Sequence, residues 1–386
     1  MPFDTQNYQF GLEHKTFINY GKQARNGNVD AIIPIAVGIE QIQDLESQWD
    51  MKDTIQSLSM AHINFTGTQP TFQFRTKNGQ GTVCNITRHA LKQLGVYIQQ
   101  LGLSGRKVNP YQLTESLCIQ DDEYRRIATV QWSKMMGAMD KDVLFRSKVI
   151  DGVRTITSIQ STSYAPIRDS ELLLKLQSQN PELHFVGSTV SSVSSNYRLI
   201  EKVGELKLKE PVTMYDIHNS DGGLRELVAF LKHYMLICTN GMTSATTQSS
   251  FNNRHYGDRE LIVGRFGTAI EDFTSVDDGF IADYMKARST EIDNLWEIMD
   301  FRLGGTLTNK QMENANIAFN SNLIASDKGT LGHAIDTLTL SAQGEKDPFN
   351  RHLLEMNATN FMNDIFADLD AGKELIPAKV LEDMSL

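Results

Sequence analysis

The stretch Val143–Ile159, VLFRSKVIDGVRTITSI, decides the fold class. Two runs rich in β-branched residues flank Asp151-Gly152. That pair favours the positive φ angles of a two-residue hairpin turn. After the turn, Val153, Thr155 and Thr157 fall on one face of a strand, and Arg154, Ile156 and Ser158 on the other. The segment therefore reads as a β-hairpin. A second hairpin is expected in TFQFRTKNGQGTV, where Phe72 and Phe74 alternate with polar residues and Asn78-Gly79 supplies the turn.

Helices alternate with these hairpins. TRHALKQLGVYIQQLGL reads as a helix capped by Thr87, with Ala90, Leu91, Leu94 and Tyr97 along one face. Ile167 leads to a helix start at Asp169 or Ser170, followed by a leucine-rich run. HFVGSTV, YRLIEKV, VTMYDIHNS and LKHYMLIC are strand candidates, and DAIIPIAVGIE reads as an edge strand interrupted by Pro34. After Glu271 the spacing turns helical. Thr308 and Gln311 form a capping box, and Leu354, Ala358, Phe361 and Ile365 share a helix face. The expected fold class is α+β, a mixed or antiparallel sheet core with hairpins followed by a largely helical C-terminal part. The expected division is an irregular segment over 1–70 containing an edge strand, a core domain over 71–270, and a helical region over 271–386.

The chain has 386 residues, 40% hydrophobic and 22% charged, an ordinary globular balance. No window is apolar enough for a transmembrane helix, so no membrane partner is expected. No secretory signal is visible, and the three cysteines, Cys84, Cys118 and Cys238, are widely spaced. A reduced, cytoplasmic protein is the expectation. Net charge is -10, yet the span from Arg75 to Arg154 holds thirteen Lys or Arg against seven acids. An acidic chain with a basic segment can present a local basic surface.

Signatures of catalysis are few. The paired glycines of NGQGTV and GRFGTA complete neither a P-loop nor a dinucleotide turn. His218, His233, Cys238 and His255 match no metal-binding module. No cofactor, metal or catalytic residue is assigned. The basic segment instead interleaves rings with cations. Arg125, Arg126, Trp132, Lys134, Arg146, Lys148 and Arg154 are candidates for holding single-stranded nucleic acid, cations on phosphates and the indole on a base. The competing reading places Tyr124, Ile127, Val130 and Trp132 in the core.

Several segments carry a family pattern: VRTITSIQSTSYAPIRDSELLLKL (Val153–Leu176, with Arg154, Ser163 and Tyr164), HNSDGG with Asn219 and Ser220, ICTNGM with Asn240 and Gly241, and Arg254-His255-Tyr256-Gly257. Over roughly Ile86–Phe366 the chain resembles the phage- and plasmid-associated family called domain of unknown function 932. HAIDTLTLSAQG departs from the family pattern in lacking a Trp and a Glu. The resemblance implies a phage or mobile-element context and a host cytoplasm, and supplies no catalytic list. Asn240-Gly241 reads as a left-handed turn ending a buried strand, with the loop onward to Arg254-His255 as an alternative ligand surface.

The leading functional expectation is a phage-type protein that binds or anneals single-stranded DNA and forms homo-oligomers. The alternative is a non-enzymatic factor that self-assembles or binds a host or phage protein, such as a host-defence inhibitor. An enzyme using Arg254 and His255 near Cys238 is the weakest reading.

Overall fold

The computed structural model describes residues 8–13, 15–19, 32–76, 79–100, 110–201, 211–220, 222–224, 226–236, 243–273, 279–321, 324, 326–345 and 348–376. Two sheets and a helical C-terminal part make an α+β fold, as expected. The first sheet has the order β3-β7-β8-β6-β5-β4, from β3 (Lys52–Ser57), β4 (Ala61–Asn64), β5 (Thr71–Thr76), β6 (Gly79–Ile86), β7 (Asp142–Ile150) and β8 (Val153–Gln160). It is mixed, because β6 and β8 run parallel while the other pairs are antiparallel. Helices α2 (Arg88–Gln100), α3 (Pro110–Gln120) and α4 (Asp122–Gly137) connect β6 to β7. They close a core containing Phe72, Leu91, Leu94, Trp132, Phe145 and Ile156.

The hairpin that decided the fold class is present. Asp151 has φ 52° and Gly152 φ 78°, the positive pair such a turn requires. Thr87 caps α2 by accepting the Ala90 amide at 3.2 Å.

The second sheet is antiparallel, with the path β1-β10-β11-β12-β13-β14 and side pairings of β9 with β2 and β11. Its strands are β1 (Thr16–Asn19), β2 (Ile33–Pro34), β9 (Leu183–Phe185), β10 (Thr189–Ser191), β11 (Ser195–Glu201), β12 (Pro211–Asn219), β13 (Leu227–Leu236) and β14 (Thr243–Asn253). Alternation gives it two unlike faces. Tyr197, Leu199, Tyr215, Ile217, Leu227, Ala229 and Leu231 join an apolar core with α1 (Ile35–Gln48), α5 (Asp169–Gln179) and α6 (Arg259–Phe273). The interleaved positions, Asn196, Arg198, Asp216, His218 and Lys232, are polar or charged and also buried.

The C-terminal helices α7 (Gly279–Ser289), α8 (Leu295–Leu303), α9 (Asn309–Phe319), α10 (Leu331–Gly344) and α11 (Pro348–Asp370) enclose a core of their own, including Leu338, Leu354, Ala358, Phe361 and Ile365. The Thr308–Gln311 capping box is formed.

Two local expectations fail. DAIIPIAVGIE contributes only a two-residue strand before Pro34, and then becomes helix α1. A short β-branched run does not distinguish a strand from a buried helix; here Ile35, Ile39 and Ile42 share a helical face and are buried in the core. The described part of the first seventy residues thus supplies an α-helix, a short 3-10 turn and four strands, not an irregular segment with one edge strand. At α5 neither Asp169 nor Ser170 is the cap residue. Arg168 holds that position without a side-chain bond, and Glu46 of α1 accepts the Ser170 amide at 3.2 Å and its hydroxyl at 2.5 Å.

Gly152→Val is expected to cost about 1–2 kcal/mol, because a β-branched side chain disfavours positive φ. A lowered urea midpoint checks it, and an unchanged midpoint contradicts it. Burial raises the thiol pKa of both Cys84 and Cys118, the latter to about 12. Both should react with Ellman's reagent only after unfolding.

Candidate functional site: a buried charge network and an exposed groove

Four of the seven basic-segment candidates lie inside. On α4 the buried stripe is Arg125, Ala128, Trp132 and Met136, a helical spacing that points Arg125 and Trp132 inward together. Trp132 is 1% exposed, donates to Thr114 Oγ1 at 3.1 Å and meets Phe65 edge-on. An indole in that place cannot stack on a base. Arg125 donates to the Cys118 carbonyl at 2.6 Å, pairs with Asp122 and lies 3.7 Å over the Tyr8 ring.

On β7, Arg146 bonds Asp53 at 2.8 Å, and the Lys148 ammonium lies 3.8 Å over Trp49; both residues are buried. Arg154 is bound by Asp50 through its carbonyl and carboxylate. Arg126 and Lys134 alone of the set are exposed. Of the seven candidates, Arg125, Arg146, Lys148 and Arg154 are thus engaged by neighbouring groups of the fold.

Residues of the HNSDGG and Arg254–Gly257 segments meet at the joint between the two sheets. The Gly222 carbonyl accepts from Gln160 Nε2 at 2.8 Å, His89 Nε2 at 2.8 Å and Gln93 Nε2 at 3.1 Å. A carbonyl only accepts, so His89 carries its proton on Nε2. Gly223 has φ +67°, and a Cβ there would meet the Gln160 amide at 2.1 Å. The turn in HNSDGG thus needs glycine for both conformation and space. Asn219 donates to Asp169 at 2.7 Å and to the Ile167 carbonyl, and the Ser220 carbonyl accepts the Tyr164 hydroxyl at 2.8 Å. Backbone bonds from Ala165 to His255 and from Gly257 to Ser163 clamp the Arg254–Gly257 loop against Tyr164. His255 is buried and stacks on Tyr164. Asn219, Ser220 and His255 are therefore joint residues, not surface ligands; Asn240 and Gly241 lie outside the described residues.

That clamp projects two residues outward. Tyr256 is 51% exposed, and Arg254 is exposed while paired with Glu226 at 2.8 Å. An open cleft of about 530 Å³ is lined by Asn252, Asn253, Arg254, Tyr256 and Arg265, together with the acids Glu226 and Asp258. Tyr97 of α2 lies within electrostatic range of Tyr256. Burial, with a contribution from Tyr256, pushes the Tyr97 phenol up to about 12. Lys141 places its ammonium 4.6 Å over the Tyr97 ring. Each ring thus has a cation near it, Lys141 over Tyr97 and Arg254 beside Tyr256.

The second feature was not read from the sequence. On the polar face of the second sheet, Asp216 accepts Lys232 Nζ at 2.5 Å and Asn196 Nδ2 at 2.6 Å, with Arg198 at 3.3 Å and His218 at 3.2 Å. From α11, Glu355 receives Lys232 at 2.7 Å and Arg198 at 3.2 Å, and His352 stacks on Phe230. Lys232 and Asp216 are wholly buried. Burial opposes the ionisation of Asp216, but Lys232 and Arg198 overcome it and hold the carboxyl well below its usual range. Glu355 is lowered against its own burial penalty by the same two cations. Burial and the Lys232 charge push His352 down to about 2, so it is neutral.

Asp216, His352 and Glu355 bring ligand-type atoms within 4.8 Å of one another. Both carboxylates already hold the Lys232 ammonium, which fills the place a cation would take. The signal available in the sequence was a charged residue in the interior of each of three strands: Arg198, Asp216 and Lys232.

All three depressed groups act in one direction. The unfolded chain takes up protons on His352 below about pH 6.5 and on the carboxylates near pH 4, while the folded chain resists. Stability should therefore fall as pH drops below about 6.5. Lys232→Met should lose about 3–5 kcal/mol near pH 7 by leaving two carboxylates side by side. Part of that loss should return on acidification to about pH 5, as one carboxyl takes a proton; the wild type should only lose stability over this range. Denaturant unfolding at the two pH values reads the opposite signs.

Among the described residues no helix is long and apolar enough to cross a membrane. No family model, curated protein or solved structure matches the chain.

Proposed function

We propose that this protein binds single-stranded nucleic acid at the cleft beside Tyr256 and Arg254 and onward to Tyr97 and Lys141, as a binding or annealing factor of the kind used in phage DNA metabolism. The observation that carries the reading is the exposed Tyr256 ring in an open cleft beside Arg254 and Arg265, with Tyr97 and the Lys141 ammonium within electrostatic range. Aromatic faces accept any base by stacking, and cations track the phosphates; together they give sequence-tolerant binding. The cleft adds Asn252, Asn253 and Arg265 beside the exposed ring. Asparagine amides can bond base edges, and Arg265 extends the cationic track. Earlier candidates Arg126 and Lys134 remain available as outlying phosphate contacts on α4.

A second reading, a self-assembling or protein-binding factor, draws on α4. Ile127 and Val130 are 43% and 53% exposed on the same helix as Arg126 and Lys134. Apolar residues left open beside cations suit a protein interface.

Tyr256→Ala and Tyr97→Ala should each weaken binding to a thymidine oligonucleotide by about 1–3 kcal/mol with the salt slope retained. Lys141→Ala and Arg254→Ala should each flatten that slope by roughly one counterion. Fluorescence anisotropy at two salt concentrations measures both effects. No binding by the wild type at low salt defeats the reading. A sedimentation shift that Val130→Asp abolishes would then favour the α4 interface.

A further inference from the structure

The layer between the second sheet and α11 is of a different kind from the three apolar cores. Both the sheet core and the helical core stop short of it. Beside the stack of Phe230 on His352, charge meets charge across the layer. From the sheet come Arg198, Asp216 and Lys232; from the helix comes Glu355. Asp216 and Glu355 each contact both cations, so two carboxylates balance two positive charges.

Glu355 is held as an oxyanion is held. One oxygen lies 3.2 Å and the other 3.3 Å from Arg198 Nη2, and the second is also 2.7 Å from Lys232 Nζ. A guanidinium beside an ammonium, both desolvated, is also the usual cradle of a phosphate group. Without Glu355 the sheet face keeps two cations against one carboxylate. Phe230, next to this pair, presents a ring on the same face. The helix that covers the face belongs to an acidic region: residues 271–386 hold twenty-one Asp or Glu against nine Lys or Arg.

We propose that Glu355 stands in for the phosphate group of a ligand, so that the Arg198–Lys232 pair is an oxyanion site kept closed by α11. The ligand class is a phosphate-bearing anion, either a free phosphoanion or a nucleic-acid phosphodiester. α11 is then an internal competitor. A ligand must displace Glu355 to reach the sheet face, and a covered site binds more weakly by the fraction of time it is open. The site stands apart from the tyrosine groove and does not depend on it.

Glu355→Gln removes the negative charge and keeps the shape. Its thermal midpoint is measured in dilute chloride, in dilute inorganic phosphate and with a thymidine oligonucleotide, all at one ionic strength. The variant is expected to be less stable than the wild type in chloride and to gain roughly 3 °C or more with a phosphate-bearing anion beyond the shift the wild type shows with the same anion, so that stabilisation through the tyrosine cleft cancels. An excess with inorganic phosphate identifies a free phosphoanion site, and an excess with the oligonucleotide alone identifies a backbone site. In Glu355→Gln combined with Lys232→Met, the excess over the wild type should vanish. If the single variant does not fold in chloride, refolding yield replaces the midpoint: recovery only with a phosphate-bearing anion supports the site. The proposal is overturned if Glu355→Gln shows no excess with either anion, if it fails to refold under every condition, or if the double variant shows the same excess.

Discussion

The Lys232 ammonium is wholly buried in the middle of a sheet, and much of the architecture answers that one charge. An isolated ammonium in such a place would cost several kcal/mol and would shed its proton. Asp216 on the neighbouring strand supplies one carboxylate, which Arg198 also claims, so a second carboxylate must come from outside the sheet. It comes from α11, more than a hundred residues further along. The electrostatic requirement of the sheet thereby fixes where α11 lies, and with it the helical core that α11 shares. The contact is specific because it is charged; an apolar layer would tolerate sliding, whereas two ion pairs on one carboxylate do not.

The other organising point is the Gly222 carbonyl, which gathers His89, Gln93 and Gln160 from the first sheet and its helix onto a turn of the second. Around it Tyr164 fastens the Arg254–Gly257 loop. This explains why chemically suggestive motif residues such as Asn219, Ser220 and His255 are buried and bonded to backbone: they hold the joint. What the joint presents outward is Tyr256 and Arg254.

What was legible in the sequence was whatever rests on neighbours in the chain. The Asp151-Gly152 turn, the Thr87 cap and the Thr308–Gln311 capping box each depend on residues a few positions apart, and each is present. The burial of Trp132 was legible too, in the spacing of Arg125, Ala128, Trp132 and Met136; weighing cations and rings by composition obscured it. Helix α1 was lost to the ambiguity of a short Ile- and Val-rich run around Pro34. The charge network and the tyrosine groove were out of reach. Arg198, Asp216 and Lys232 become neighbours only once strand register is known, and Tyr97 and Tyr256 come from elements joined only by tertiary packing.

The central claim is that single strands are held at the paired tyrosines and not along the basic segment in which the cations cluster by sequence. Ultraviolet cross-linking of the intact protein to an iodouridine-substituted oligonucleotide, with the modified peptides mapped by mass spectrometry, tests it most directly. The account predicts adducts on the peptides carrying Tyr256 and Tyr97. Adducts confined to the α4 peptide with Arg126 and Lys134, or none at low salt, would contradict it.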